Sequence, residues 1–161
     1  MRLALVATVI LSLSAAPALS GPDEAALLAS YAGGWVGSGK VTGVETGDVD
    51  CTMTLTANRS GKVNYSGRCE FGSGTAGFTG TMHYNDAARR FEANTSAQGV
   101  SGGAVGKRQG GGIVFSMSGL ESSYGTVSST LSLSGGKIGM KFELLDKDGV
   151  KTASSITFSR R

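Results

Sequence analysis

Apolar and polar residues alternate along most of this chain. Val49, Cys51, Met53, Leu55 and Ala57 are interleaved with Asp50, Thr52, Thr54 and Thr56. Val63, Tyr65, Cys69 and Phe71 are interleaved with Asn64, Ser66, Arg68 and Glu70. A period of two marks a strand with one buried and one wet face. The pattern recurs in Ala76, Phe78, Met82 and Tyr84, and again in Ile113, Phe115 and Met117. It returns in Val127, Leu131 and Leu133, then in Ile138, Met140, Phe142 and Leu144, and ends with Val150, Ile156 and Phe158. Trp35 to Val44, Phe91 to Thr95 and Gly99 to Val105 complete a set of about ten short strands.

The breaks between these runs read as tight turns: Asn58-Arg59-Ser60-Gly61-Lys62, Ser134-Gly135-Gly136 and Asp146-Lys147-Asp148-Gly149. Short links pair sequence neighbours in space, which predicts an all-β antiparallel up-and-down meander of about 8–10 strands. Closure into a barrel removes the exposed edges of such a meander. Only Pro22 to Tyr31 reads as a helix, with Pro22 and two acids at its start and Gly33-Gly34 at its end.

The first twenty residues follow a different rule. Arg2 precedes an apolar run from Leu3 to Leu13, and Ala16-Pro17-Ala18 or Ala18-Leu19-Ser20 offers small residues for cleavage. That order is expected of a secretory signal peptide, residues 1–20, ahead of one domain, residues 21–161. The run is shorter than the roughly 20 apolar residues of a membrane span, and no later stretch approaches that length, so no transmembrane segment is expected in the mature chain. The expected location is periplasmic or secreted. Two cysteines in an exported chain suggest a disulfide. A turn centred on Ser60 places Ala57 opposite Val63, Leu55 opposite Tyr65, Met53 opposite Gly67 and Cys51 opposite Cys69. Directly opposed residues are near enough to bridge.

Composition adds few restrictions. The 161-residue chain holds 26 Gly and only 17% charged residues, with abundant Ser and Thr. Its net charge is +3, or +2 once Arg2 is removed with the leader. Arg89-Arg90, Lys107-Arg108 and Arg160-Arg161 are scattered and read as solvated loop ends, so nucleic acid is not an expected partner.

No catalytic constellation emerges. The single histidine, His83, shares the polar phase with Thr79 and Thr81 and has no nucleophile or orienting acid beside it. One His and two paired Cys do not make a metal site, and no metal is expected. Gly72-Ser73-Gly74-Thr75-Ala76-Gly77 has dinucleotide-motif spacing, but a strand pattern follows it where the mechanism needs a helix. Glu45, Asp48 and Asp50 are close in sequence with nothing to bring them together.

Gly33-x-Trp35 at the start of the first strand, with Arg160 ending the last, resembles the calycin superfamily (lipocalins, fatty-acid-binding proteins and relatives). That resemblance implies a barrel closed at one end by Trp35 packed against Arg160, with a mouth that takes a small apolar ligand. Trp35-Val36-Gly37-Ser38-Gly39 also resembles the W-x-G-x-G of nitrobindin-type haem barrels. The C-terminal ligand histidine of that family has no counterpart here, and no cofactor is expected. A resemblance over most of the mature chain is to small exported barrels of unknown function from Gram-negative bacteria. They share Tyr31-Ala32-Gly33-x-Trp35-x-Gly37-x-Gly39-x-Val41-Thr42 and two cysteines in strands two and three. Cys51-Thr52-Met53-Thr54-Leu55 resembles periplasmic protease-inhibitor barrels.

The expected function is therefore non-enzymatic binding, with Met53, Tyr65, Phe78, Phe115, Met117, Met140 and Phe142 as candidate lining of a ligand cavity. Two alternatives stand beside it. These side chains could fill a solid barrel, or the protein could be an interaction module, such as a protease inhibitor, acting on an envelope protein.

Overall fold

The computed structural model describes residues 21–44, 46–72 and 74–161. The signal peptide expected at residues 1–20 lies outside the described residues, as do Glu45 and Ser73. A helix, α1 (Gly21–Ala29), precedes ten strands: β1 (Gly33–Thr42), β2 (Gly47–Ala57), β3 (Val63–Phe71), β4 (Gly74–Asn85), β5 (Arg90–Ala97), β6 (Val100–Gln109), β7 (Gly112–Ser122), β8 (Gly125–Ser134), β9 (Lys137–Asp146) and β10 (Lys151–Arg160). Each strand pairs antiparallel with its sequence neighbours, and β1 pairs with β10 to close the barrel. The up-and-down meander expected from the alternation is the observed fold.

Local chemistry sets the turns. In the β2–β3 turn, the Asn58 side-chain carbonyl accepts the backbone N–H groups of Ser60 at 3.0 Å and Lys62 at 3.1 Å. The side chain thus replaces the backbone partners that the ladder would supply. The resulting register is the one centred on Ser60: Ala57 pairs with Val63, Leu55 with Tyr65 and Met53 with Gly67. Cys51 and Cys69 are directly opposed, with Cα atoms 4.1 Å apart, and are disulfide-bonded. The β8–β9 turn uses Gly135 at φ 58° and Gly136 at φ 71°, a pair of left-handed residues that matches the twist of a two-residue hairpin.

One end of the barrel is solid. Trp35, Phe91, Phe115, Phe158, Met82, Ile113, Leu133 and Ile138 are almost fully buried there, beneath Leu28 of α1. Phe91 packs edge-on against both Phe115 and Tyr84. Inward glycines make room for the larger rings: the ring of Phe158 lies over Gly37, and Phe91 and Phe115 crowd Gly106. A side chain at either glycine would collide with the ring above it.

Trp35 and Arg160 close this end together. They are register partners across β1 and β10, and the Arg160 guanidinium carbon lies 4.8 Å from the centre of the indole. Arg160 also donates to the carbonyls of Ala32 at 2.8 Å and Ser30 at 2.9 Å. The indole N–H donates to the Tyr31 carbonyl at 3.0 Å. These three bonds satisfy the carbonyls left free where α1 ends. The helix stops at Ala29, two positions before the Tyr31 expected from sequence, because the chain there tightens into a turn that serves Arg160 and Trp35.

The first-turn acid Glu24 does more than complement the helix dipole. It is 4% exposed and accepts a hydrogen bond from Arg108 of β6 at 2.9 Å. Arg108, expected as a solvated loop end, is instead a tether between barrel and helix. Glu24→Ala should cost about 1–3 kcal/mol, the penalty of leaving a charged partner unsatisfied. Chemical denaturation should resolve that loss, whereas a similar change at exposed Glu143, which pairs with Lys151, should cost well under about 1 kcal/mol.

Candidate functional site

The end opposite α1 is hollow. Phe71, Phe78, Met117, Leu131, Met140 and Phe142 point inward yet are only half-buried. They face a cavity of about 780 Å³, within the roughly 300–1,000 Å³ of small-molecule sites. Buried Met53, Tyr65 and Ile156 form its deep wall, next to the packed end. Its mouth lies among the β1–β2, β5–β6 and β7–β8 connections, at Val44, Gln98 and Tyr124. Val44 is 73% exposed and Tyr124 59%, so the rim itself is partly apolar.

Of the seven side chains expected to line a cavity, six do: Met53, Tyr65, Phe78, Met117, Met140 and Phe142. Phe115 does not. It is 2% exposed and packs on Phe91 and Gly106 in the solid end. Alternation tells which face of the sheet a residue occupies but not its height along the barrel, and Phe115 lies below the hollow layer. Phe71, Leu131 and Ile156 share the inward phase and were equally eligible. The expected choice between a solid and a hollow barrel resolves into one of each, stacked along the axis.

The wall changes character beside the cavity. The β6–β7 ladder runs only from Gln109–Gly112 to Val105–Ser116, so the first half of β6 has no register partner on β7. Between Met117 and Leu120 the β7–β8 register shifts, with Gly119 at φ 67°. A bulge of this kind re-aims side chains, and here both Met117 and Leu120 turn onto the cavity. Their tips close against Gly102, where a methyl group would come within 2.6 Å of Leu120 and 2.7 Å of Met117. Side chains, rather than ladder hydrogen bonds, seal that part of the wall.

The polar groups that line the cavity are uncharged, hydroxyls and the Gln98 amide. Among the described lining residues there is no Lys, Arg, His, Asp or Glu. Cys69 lines the wall with its sulfur held in the disulfide. Tyr65 hydrogen-bonds the Thr95 hydroxyl and donates to the Asn94 carbonyl at 3.2 Å. Burial raises the Tyr65 phenol above its ordinary pKa, with the Thr95 bond opposing, so it stays neutral. Gly80 lets the ring lie flat against the wall, since a side chain there would overlap the phenol oxygen.

No family model and no curated protein sequence matches this chain. The likeness is one of fold. A structure of Rv2717c from M. tuberculosis superposes with a TM-score of 0.64 at 12% identity, covering 83% of this chain and 94% of that one. The S-type phycobiliprotein lyase CPES from Guillardia theta superposes with a TM-score of 0.60 at 12% identity, covering 89% and 93%. The two superpositions show a shared fold and no closer kinship.

The remaining polar candidates stay on the outside. His83 faces Glu92 across β4 and β5, its Nε2 3.6 Å from the carboxylate. The Arg90 hydrogen bond, followed by Asn85, holds the Glu92 carboxyl below its ordinary pKa, and His83 adds the least of the lowering contributions. That stabilisation is present at neutral pH and fades as acid protonates the carboxyl. His83→Ala should therefore leave ligand binding unchanged and move the melting temperature by less than about 2 °C, read by thermal unfolding. Gly74 begins a strand rather than a phosphate-binding helix, and Asp48 is ion-paired with Lys40. Among the described residues no group of three His, Cys, Asp or Glu could hold a metal. No described helix is long and apolar enough to cross a membrane.

Proposed function

We propose that this protein is an exported carrier that holds one small apolar molecule in the hollow end of its barrel without transforming it. The observation that carries the reading is the cavity, large enough for a ligand and walled mainly by apolar side chains that no described residue covers. Export rests on the leader sequence, on the cross-strand disulfide and on the resemblance to small Gram-negative exported barrels. Binding without chemistry rests on the lining: general acid–base or nucleophilic catalysis calls for groups of tuned pKa near the substrate, and hydroxyls and thioethers do not supply them. One structural neighbour is a lyase by name, so the fold itself is compatible with catalysis.

The competing reading was a protein-interaction module. An apolar patch on a solid barrel would have favoured it, whereas Val44 and Tyr124 here belong to the rim of the cavity. The test is a titration with N-phenyl-1-naphthylamine, an uncharged dye that brightens in apolar surroundings. Saturable binding of one dye per chain is expected. Leu131→Trp, which pushes a larger ring into the hollow, should weaken it more than about tenfold while unfolding stays cooperative. Equal dye binding by both proteins would remove the cavity from the account.

A further inference from the structure

We infer that the cavity selects an uncharged ligand carrying a hydroxyl group, which docks on the Tyr65–Thr95 pair while its apolar body lies against Phe78, Met117, Met140 and Phe142. This deepens the proposed function and rests on it.

Two observations point the same way. First, the wall offers no counter-ion: its described lining residues include no basic or acidic side chain. A carboxylate or ammonium carried inside would lose its hydration without gaining a partner, and buried charges are tolerated only when paired. Second, the deep wall is not uniformly apolar. The Tyr65 hydroxyl is fixed at β5 by the Asn94 carbonyl and the Thr95 hydroxyl, and both Tyr65 and Thr95 face the cavity.

Counting donors and acceptors gives the group this pair lacks. Two hydroxyl hydrogens serve three oxygen atoms. With Tyr65 donating to the Asn94 carbonyl and Thr95 donating to Tyr65, both hydrogens are used, and the two hydroxyl oxygens keep lone pairs for a further donor. The complementary ligand group is a hydrogen-bond donor, and a neutral hydroxyl supplies one without charge. A bare hydrocarbon is not rejected, because the pair is already satisfied internally, but it gains nothing there. Phe78 lies 6.4 Å from Tyr65, centre to centre, and flanks the same spot, so an aromatic or alicyclic body can lie beside the hydroxyl it carries.

The test uses four fluorescent compounds of one shape: pyrene, 1-pyrenemethanol, 1-pyrenecarboxylate and 1-pyrenemethylamine, titrated into the mature protein at neutral pH. The alcohol should bind at least tenfold more tightly than the carboxylate or the amine. Tyr65→Phe and Thr95→Val should each weaken the alcohol roughly fivefold to tenfold, the worth of one hydrogen bond, and leave pyrene unchanged. A carboxylate or amine that binds as tightly as the alcohol would overturn the inference, as would variants that lose alcohol and pyrene equally. If pyrene itself fails to bind, the carrier reading falls with it. If pyrene binds and the alcohol shows no preference, only this inference falls.

Discussion

Replacing Trp35 by alanine should destabilise the protein by about 3–5 kcal/mol, the usual cost of removing a large buried aromatic ring. That corresponds to roughly 10–20 °C in melting temperature for a domain of this size. The ring is 1% exposed, stacks near Tyr31 and is covered by Arg160. Its loss leaves a cavity under α1 and frees the Tyr31 carbonyl that the indole N–H now satisfies. Arg160→Ala should cost less, about 1–3 kcal/mol, since it loses two charge-assisted bonds at a partly wet site. A double-mutant cycle should return a coupling of roughly 0.5–2 kcal/mol, the range of a cation–π contact. Zero coupling would mean that the two residues do not close the barrel as a unit. Gly33 belongs to the same device: at φ 136° it leaves a space that the Arg160 guanidinium fills.

The second large effect concerns the disulfide. Cys51→Ala combined with Cys69→Ala should lower stability by about 3 kcal/mol, because the bridge closes a loop of 18 residues and restricts the unfolded chain. Reductant should destabilise the natural chain by the same amount and leave the double variant untouched. Intact mass should fall by two hydrogens on oxidation, and alkylation of the unreduced, unfolded protein should label neither cysteine. The bridge also joins β2 to β3 on the cavity side of the wall, where Cys69 faces the hollow. Its removal should therefore weaken dye binding as well as stability, and a loss of stability with unchanged binding would show that the wall holds its shape unaided.

The strands, their order and the β2–β3 register were legible because alternation and turn chemistry are local signals. Val49 to Ala57 and Val63 to Phe71 announce their faces residue by residue, and Asn58 to Lys62 fixes how they meet. The contact between Trp35 and Arg160 followed from closure, which makes the first and last strands neighbours. What escaped the sequence is set by heights and distances that no local pattern encodes. Phe115 and Met117 carry the same inward signal, yet one lies in the solid end and the other in the hollow, because Met117 stands two positions farther along β7. The pairing of Glu24 with Arg108 spans 84 positions, and each residue alone looks like ordinary surface charge. The bulge that turns Leu120 inward had one trace, Gly119 between two runs, which reads as easily as a weak strand residue. Val150 continues a strand pattern by phase, but the Asp146 side chain accepts its N–H at 2.8 Å and holds it in the turn.

The hollow end of the barrel is the centre of this account, and native mass spectrometry of the protein purified without detergent from its own host reads it directly. The chain should carry the added mass of one small organic molecule, lost on extraction with organic solvent and missing from Leu131→Trp prepared in the same way. A bare chain in every preparation, or a chain held by a partner protein with the cavity empty, would contradict it.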